Sequence, residues 1–238
     1  MSAAAPTRIT LEVARSDAAR PSTFDVPVPG PASRVLDALL YVREHLDPSL
    51  GFRYACRAGM CGACAVVVNG RETLACQASI GGLGTSTVRV EPLHALPVLR
   101  DVMCDMAPFF DTLRHADAAL RPAEPERTTL RVMPPAEPDR ALIERQNGCI
   151  TCGACFSACE AAAPLPEHQS PAALNRVLML ALDERDAQGR RRLLAVPRAS
   201  PTLRDASLRA CAGVCPVDIP LQDGLARLDA LLATPGPA

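Results

Sequence analysis

Eleven cysteines carry most of the chemistry available to this 238-residue chain, and ten of them fall into spaced groups. The first group, CRAGMCGACAVVVNGRETLAC (56–76), is C-x4-C-x2-C-x11-C. That is the plant-type [2Fe–2S] spacing: Cys56, Cys61 and Cys64 surround one side of a cluster, and Cys76 returns from a hairpin. Gly59 and Gly62 fit the same purpose, because a loop bent around sulfides needs inward-turned N–H groups that glycine supplies without strain. Four cysteines also suit tetrahedral zinc, but zinc knuckles favour paired C-x2-C halves. The second group, CITCGACFSACE (149–160), is C-x2-C-x2-C-x3-C, the bacterial ferredoxin run. Its fourth cysteine ligates the other cluster in two-cluster proteins. Cys149, Cys152 and Cys155 then belong together, with Cys215 of CAGVCP (211–216) as the remote fourth ligand before Pro216. Cys211 pairs with Cys159 at a further site. Cys104 has no partner at ligand spacing and reads as a small buried core residue.

Composition narrows the classes. Hydrophobic residues make up 48% of the chain, which is globular and not disordered composition. The net charge is −1, which argues against nucleic acid as a main partner. All 25 basic residues are Arg, a compositional bias and not a binding signal. The N-terminus lacks a secretory plan, and the longest apolar run, VLMLAL (177–182), is too short to cross a membrane. A reducing cytoplasm is the expected compartment, where so many cysteines favour metal ligation over disulfides.

These ligands need elements to hold them. Residues 7–14 and 23–28 alternate as strands, and Ser33 is placed to cap a helix with Val35, Leu36, Leu39, Leu40, Val42 and Leu46 inward. AVVVNGRETLA (65–75) reads as a hairpin turning at Asn69-Gly70, with another strand at 86–91. The stretch 121–140 is rich in Pro and Glu and reads as a linker. Helices follow at 171–185, capped by Ser170 with Pro171 at its first position, and at 220–233. Arg190-Arg191-Arg192 reads as a solvated loop, and Arg53 and Arg57 flank the first cysteine loop as packing or potential-tuning charges. His45, His94, His115 and His168 are scattered and read as surface or core residues.

Taken together, the cysteine groups, VLDALLYVREHLDPSLGFRYACRAGMCGACAVVVNG (35–70), LPVLRDVMCDMAPFF (96–110) and NGCITCGAC (147–155) resemble the iron–sulfur subunit of succinate dehydrogenase and fumarate reductase. The resemblance covers nearly the whole chain. It implies an α+β protein: an N-terminal β-grasp plant-type ferredoxin domain (1–105), a Pro-rich connecting segment (106–140), and an all-helical bacterial-ferredoxin-like domain (141–238). It implies a [2Fe–2S] cluster on Cys56, Cys61, Cys64 and Cys76, a [4Fe–4S] cluster on Cys149, Cys152, Cys155 and Cys215, and a third, [3Fe–4S], cluster. It further implies an oxidoreductase subunit with no substrate site of its own. Such a subunit passes single electrons between a FAD-containing flavoprotein subunit and a membrane anchor with quinone, peripheral on the cytoplasmic face.

The chain departs from that family at the third cluster. Its ligands there would be Cys159, Cys211 and a cysteine six residues before Cys211, where Asp205 stands instead. Three readings remain: Asp205 supplies an oxygen ligand, the site holds a variant cluster helped by water or Glu160, or the third cluster is missing. The chain has no Trp, and Glu160 to Pro164 and Ala206 replace the Trp and His that follow these cysteines in ubiquinone-reducing relatives. A paralogous subunit serving another flavoprotein or a soluble acceptor is one alternative function. A non-redox zinc-binding module is the alternative from another class.

Overall fold

The computed structural model describes residues 8–16, 18–124, 132–159, 169–196 and 213–233. They divide into two units, one of residues 1–106 with 150–157, the other of 107–149 with 158–238.

The first unit is built on a mixed five-stranded sheet. Its strands are β1 (Arg8–Val13), β2 (Ser22–Pro27), β3 (Ala65–Val68), β4 (Arg71–Leu74) and β5 (Thr87–Glu91), in the order β2-β1-β5-β3-β4. Only β1 and β5 run parallel. Period-two alternation sends Ile9, Leu11 and Val13 of β1 and Val88 and Val90 of β5 into the core. Helix α1 (Val35–Tyr41) covers them with Val35, Leu36, Leu39 and Leu40, and a π-helical turn (Val42–Leu46) extends it. The helix begins one residue later than the sequence suggests. Arg34 is the capping position, its N–H held by Asp37 Oδ2 at 2.8 Å, while Ser33 is spent on a turn with Gly30. Asn69 (φ 48°) and Gly70 (φ 80°) make the left-handed pair a two-residue hairpin needs. Asn69 Oδ1 also takes the Arg89 N–H at 2.8 Å, which joins the turn to β5. Short strands β6 (Val98–Arg100) and β7 (Met103–Cys104) and a four-residue helix α4 (Ala154–Ser157) complete the unit.

The second unit is helical among its described residues: α2 (Ala107–His115), α3 (Pro138–Gln146), α5 (Pro171–Leu182) and α6 (Leu221–Ala233). The helix at 107–115 falls within the stretch read from sequence as a connecting segment (106–140), and the one at 138–146 begins at its end and runs into the stretch read as helical. Helix α5 starts as expected, with Ser170 Oγ accepting the Ala173 N–H at 3.1 Å and Pro171 in its first turn. Every residue of α5 except Arg176 is buried. It is therefore the axis of this unit and not an amphipathic surface helix. Leu225, Leu228, Leu231 and Leu232 of α6 pack against it at helical spacing.

Arg192 corrects the expected solvated arginine run. Arg190 and Arg191 are exposed, but the Arg192 side chain is only 2% exposed. It forks onto both oxygens of Asp186 at 2.9 and 2.7 Å and donates to the carbonyls of Asp117 and Ala119. Asp186 also accepts the N–H groups of Arg121, Gln188 and Gly189, each at 3.0 Å. Burial pushes that carboxyl up, but Arg192 and the three N–H groups outweigh it and hold it down at about 2. No helix among the described residues is long and apolar enough to cross a membrane.

Candidate metal centres

The loop at 56–64 is held at both ends by the sheet. On its entry side Asp101 is buried and accepts the Gly51 N–H at 2.7 Å and the Ser16 N–H at 3.2 Å. Arg15 lies between Asp47 (2.7 Å) and this same Asp101 (3.2 Å), which fixes residues 47–51 relative to β1. Arg43 then lies over the Phe52 ring at 4.5 Å and the Tyr54 ring at 5.1 Å, and it donates to the Tyr54 hydroxyl at 3.0 Å. Arg57 lies 5.4 Å from the other side of this stack, on the Tyr54 ring. On the exit side, β3 and β4 carry the chain from Cys64 to Cys76. The Ala75 N–H donates to the Cys64 carbonyl at 2.9 Å, so those two cysteines meet at the open end of the hairpin.

The four sulfurs carry no disulfide and stand as two pairs. Cys56 and Cys61 make the exposed pair and Cys64 and Cys76 the buried one. Among the described residues no three His, Cys, Asp or Glu side chains gather on a single-ion site. Two thiolate pairs are the donor set of a two-iron cluster, and the residues fit that group. The backbone supports the same reading. The Ala58 and Met60 N–H groups point at Cys56 Sγ from 3.4 and 3.3 Å. They and the Cys61 thiol pull Cys56 down to about 7, whereas burial pushes Cys64 up to about 12. Gly59 sits at φ 74°, where an added methyl would lie 1.7 Å from Gln77 Nε2. Cys56 and Cys61 are exposed and Cys64 and Cys76 buried, so one pair faces solvent and the other the core.

The second cysteine set is split by the division of the chain. Cys152 and Cys155 belong to the first unit with α4, while Cys149, Cys159 and Cys215 belong to the second. Cys159 is buried, at 4% exposure. Cys211, Asp205, Glu160 and His168 lie outside the described residues. Within the first unit, residues 150–157 are tightly held. The Ser157 hydroxyl donates to buried Glu72 Oε1 at 2.9 Å and accepts the His94 N–H at 2.7 Å. Gly62 lies flat against Cys152: a methyl there would sit 2.8 Å from Cys152 Cβ, 2.9 Å from its Cα and 3.0 Å from the Ile150 carbonyl oxygen. Sequence reasoning named neither Glu72 nor Ser157, which are 85 positions apart. Cys104 is buried, as its lack of a spaced partner suggested; its thiol donates to the Leu93 carbonyl at 3.6 Å. His94 Nδ1 stands 3.7 Å from Glu72, His45 stacks on Tyr41, and His115 is exposed.

Residues 8–111 match a family model described as a 2Fe-2S iron-sulfur cluster binding domain. The chain is 32% identical over 242 aligned residues to a fumarate reductase iron-sulfur subunit of Mycobacterium tuberculosis, covering 95% of this chain and 94% of that one. It is 29% identical to a mitochondrial succinate dehydrogenase [ubiquinone] iron-sulfur subunit of Oryza sativa, covering 87% and 76%. A chain of the Mycobacterium smegmatis Sdh1 complex in its apo form shares the fold at a TM-score of 0.79, with 24% identity and 97% of each chain covered.

Proposed function

Because the chain belongs to the family of fumarate reductase and succinate dehydrogenase iron–sulfur subunits, we propose that it relays single electrons between a FAD-containing flavoprotein subunit and a quinone-bearing membrane anchor. The observation that carries this reading is the doubled sulfur pair in the loop 56–76, with two backbone N–H groups turned onto Cys56. In this reading Cys56, Cys61, Cys64 and Cys76 hold a [2Fe–2S] cluster, and Cys149, Cys152, Cys155 and Cys215 hold a [4Fe–4S] cluster. Bound there, the clusters supply one-electron chemistry at potentials set by charge, hydrogen bonding to sulfur and exposure.

The chain's own part is placement. N–H donors at Cys56 favour its thiolate form, the form that binds metal. Arg43 and Arg57 bring positive charge to the loop, which favours an added electron over its absence. The buried pair Cys64 and Cys76 sits where water is excluded, and the exposed pair faces outward for a partner. The mixed sheet around this loop supports a β-grasp plant-type ferredoxin domain, and the helices of the second unit support a bacterial-ferredoxin-like one. Cys159, Cys211 and Asp205 are the proposed ligands of a third cluster, in which an oxygen donor replaces the family's third cysteine. The chain works peripherally on the cytoplasmic side of the membrane.

Anaerobic purification with iron counting and EPR tests the reading. A brown protein is expected, with about nine irons per chain if the third site is filled and about six if it is not. A colourless protein that binds zinc refutes it. An oxidised signal of the [3Fe–4S] type that shifts in Asp205→Cys would place Asp205 at the third cluster, and no shift would remove it.

A further inference from the structure

We infer that Gly62 is a spacing residue for electron transfer, and that its contact with Cys152 is the junction where the electron crosses from the first cluster to the second. The inference rests on the ligand sets proposed above.

Gly62 lies between Cys61 and Cys64, and Cys152 is itself a ligand of the second set, so this contact joins the two cysteine loops with no intervening side chain. Glycine is required there twice over. Its φ is 71°, and a methyl would meet Cys152 Cα and Cβ and the Ile150 carbonyl at 2.8–3.0 Å. Carbon atoms pack at about 3.5–4.0 Å, so one loop would have to move. Neither loop is free to do so at no cost. Gly153, at φ 81°, sets a left-handed turn directly after Cys152, a conformation that the second loop must keep. Ser157 is tied to Glu72 on β4, the strand that runs into Cys76, and to the His94 backbone. The fold thus binds the second loop to the first from both sides and keeps side chains out of the gap. Packing alone explains a close contact. A glycine at a point where ligand loop meets ligand cysteine, with Ser157 clamped to Glu72 and the His94 backbone on the same segment, is what a fixed tunnelling distance demands.

The test compares Gly62→Ala with Gly70→Ala in the anaerobically purified, cluster-loaded protein. Gly70 has nearly the same left-handed backbone (φ 80°) but nothing within 4 Å of an added methyl, so it reproduces the strain without the crowding. Iron content and the EPR signal of each cluster are measured first. Two further readouts follow: the spin-relaxation enhancement of the reduced [2Fe–2S] signal by its reduced neighbour, and the rate of electron transfer between the clusters after pulse reduction. Gly62→Ala is expected to keep both clusters, to lose relaxation enhancement and to slow transfer several-fold, with Gly70→Ala like the parent. Both clusters present with unchanged relaxation and rate overturn the inference, as does an equal change in Gly70→Ala. If Gly62→Ala does not load, Ser157→Ala decides. Freed from Glu72, the second loop should show weakened relaxation enhancement, and parental behaviour overturns the proposal. A parent protein lacking the iron of either cluster refutes the ligand assignment itself, a result seen in the metal count and not in the coupling.

Discussion

Replacing Asp186 by Ala leaves the Arg192 guanidinium buried, charged and without its fork. Its remaining partners are the carbonyls of Asp117 and Ala119 and the edge of the Asp117 carboxylate at 3.6 Å. The N–H groups of Arg121, Gln188 and Gly189 lose their acceptor in the same step. Removing one partner of a buried pair costs about 3–5 kcal/mol, because the surviving charge is uncompensated. The exposed pair Arg8 with Asp25 is a control inside the same chain: its side chains are 53% and 69% exposed, so solvent screens the pair and its contribution is small. Asp186→Ala should therefore lower unfolding free energy by about 4 kcal/mol, and Asp25→Ala by a small fraction of that. Urea unfolding of the loaded protein, followed by far-ultraviolet circular dichroism, reads both, with the midpoint falling and the slope unchanged. A joint replacement by apolar residues, Arg192→Met with Asp186→Leu, should recover the part due to the uncompensated charge but not the part due to the three N–H groups and two carbonyls left without partners. Equal effects of Asp186→Ala and Asp25→Ala would refute the reasoning, because burial would then not be what makes the pair matter.

Acid should act through the same carboxylates. Asp186 is held at about 2, and Arg185 holds Asp183 down as well, so their stabilising charge is fully present above the ordinary carboxylate range. It is lost as pH falls from about 4 toward 2, and a urea midpoint that stays level across that window would contradict the sign. In cluster-free chain at pH 7.5, iodoacetamide should label Cys56 well ahead of Cys64, because the thiolate is the nucleophile and these two thiols are held at about 7 and about 12. Peptide mass spectrometry after brief exposure reads the order, and equal labelling would sink it. Gly70→Ala should cost about 1 kcal/mol through its left-handed φ, and Asn69→Ala should add the loss of the Arg89 contact. Urea midpoints of the two variants check this, and a stabilised Gly70→Ala would mean that the turn is not as described.

Much of the fold was legible where local rules and tertiary structure agree. Alternation in β1 and β5, the Asn69-Gly70 turn and the Ser170 cap each need only a few adjacent residues to be read. Spacing groups Cys56, Cys61, Cys64 and Cys76, but that two are exposed and two buried is seen only in the fold. What stayed hidden depends on partners far away in the chain. Arg192 sits in a run of three arginines, and nothing nearby says that one of them meets a carboxylate already braced by the backbone of Arg121. Glu72 and Ser157 look like a strand-surface residue and a loop hydroxyl until the fold brings them to 2.9 Å. Helices α2 and α3 were passed over because Pro and charge around them outweigh a weak apolar pattern, and burial of Phe109 and Ile143 decides the matter.

The parallel pairing of β1 with β5 has a consequence for how the protein is made. Leu11 pairs with Val88 across 77 positions, so the sheet closes only after residue 91 has left the ribosome. All four cysteines of the first set are by then already synthesised. At roughly 5–20 residues per second, the fifteen residues after Cys76 take about 1–3 s. During that interval β3 has its partner β4 but not yet β5, which pairs with it at Val67 and Val68. Residues 150–157, which pack on this unit, arrive later still. The order of synthesis thus completes all four cysteines of the first set before the strand that closes their sheet exists.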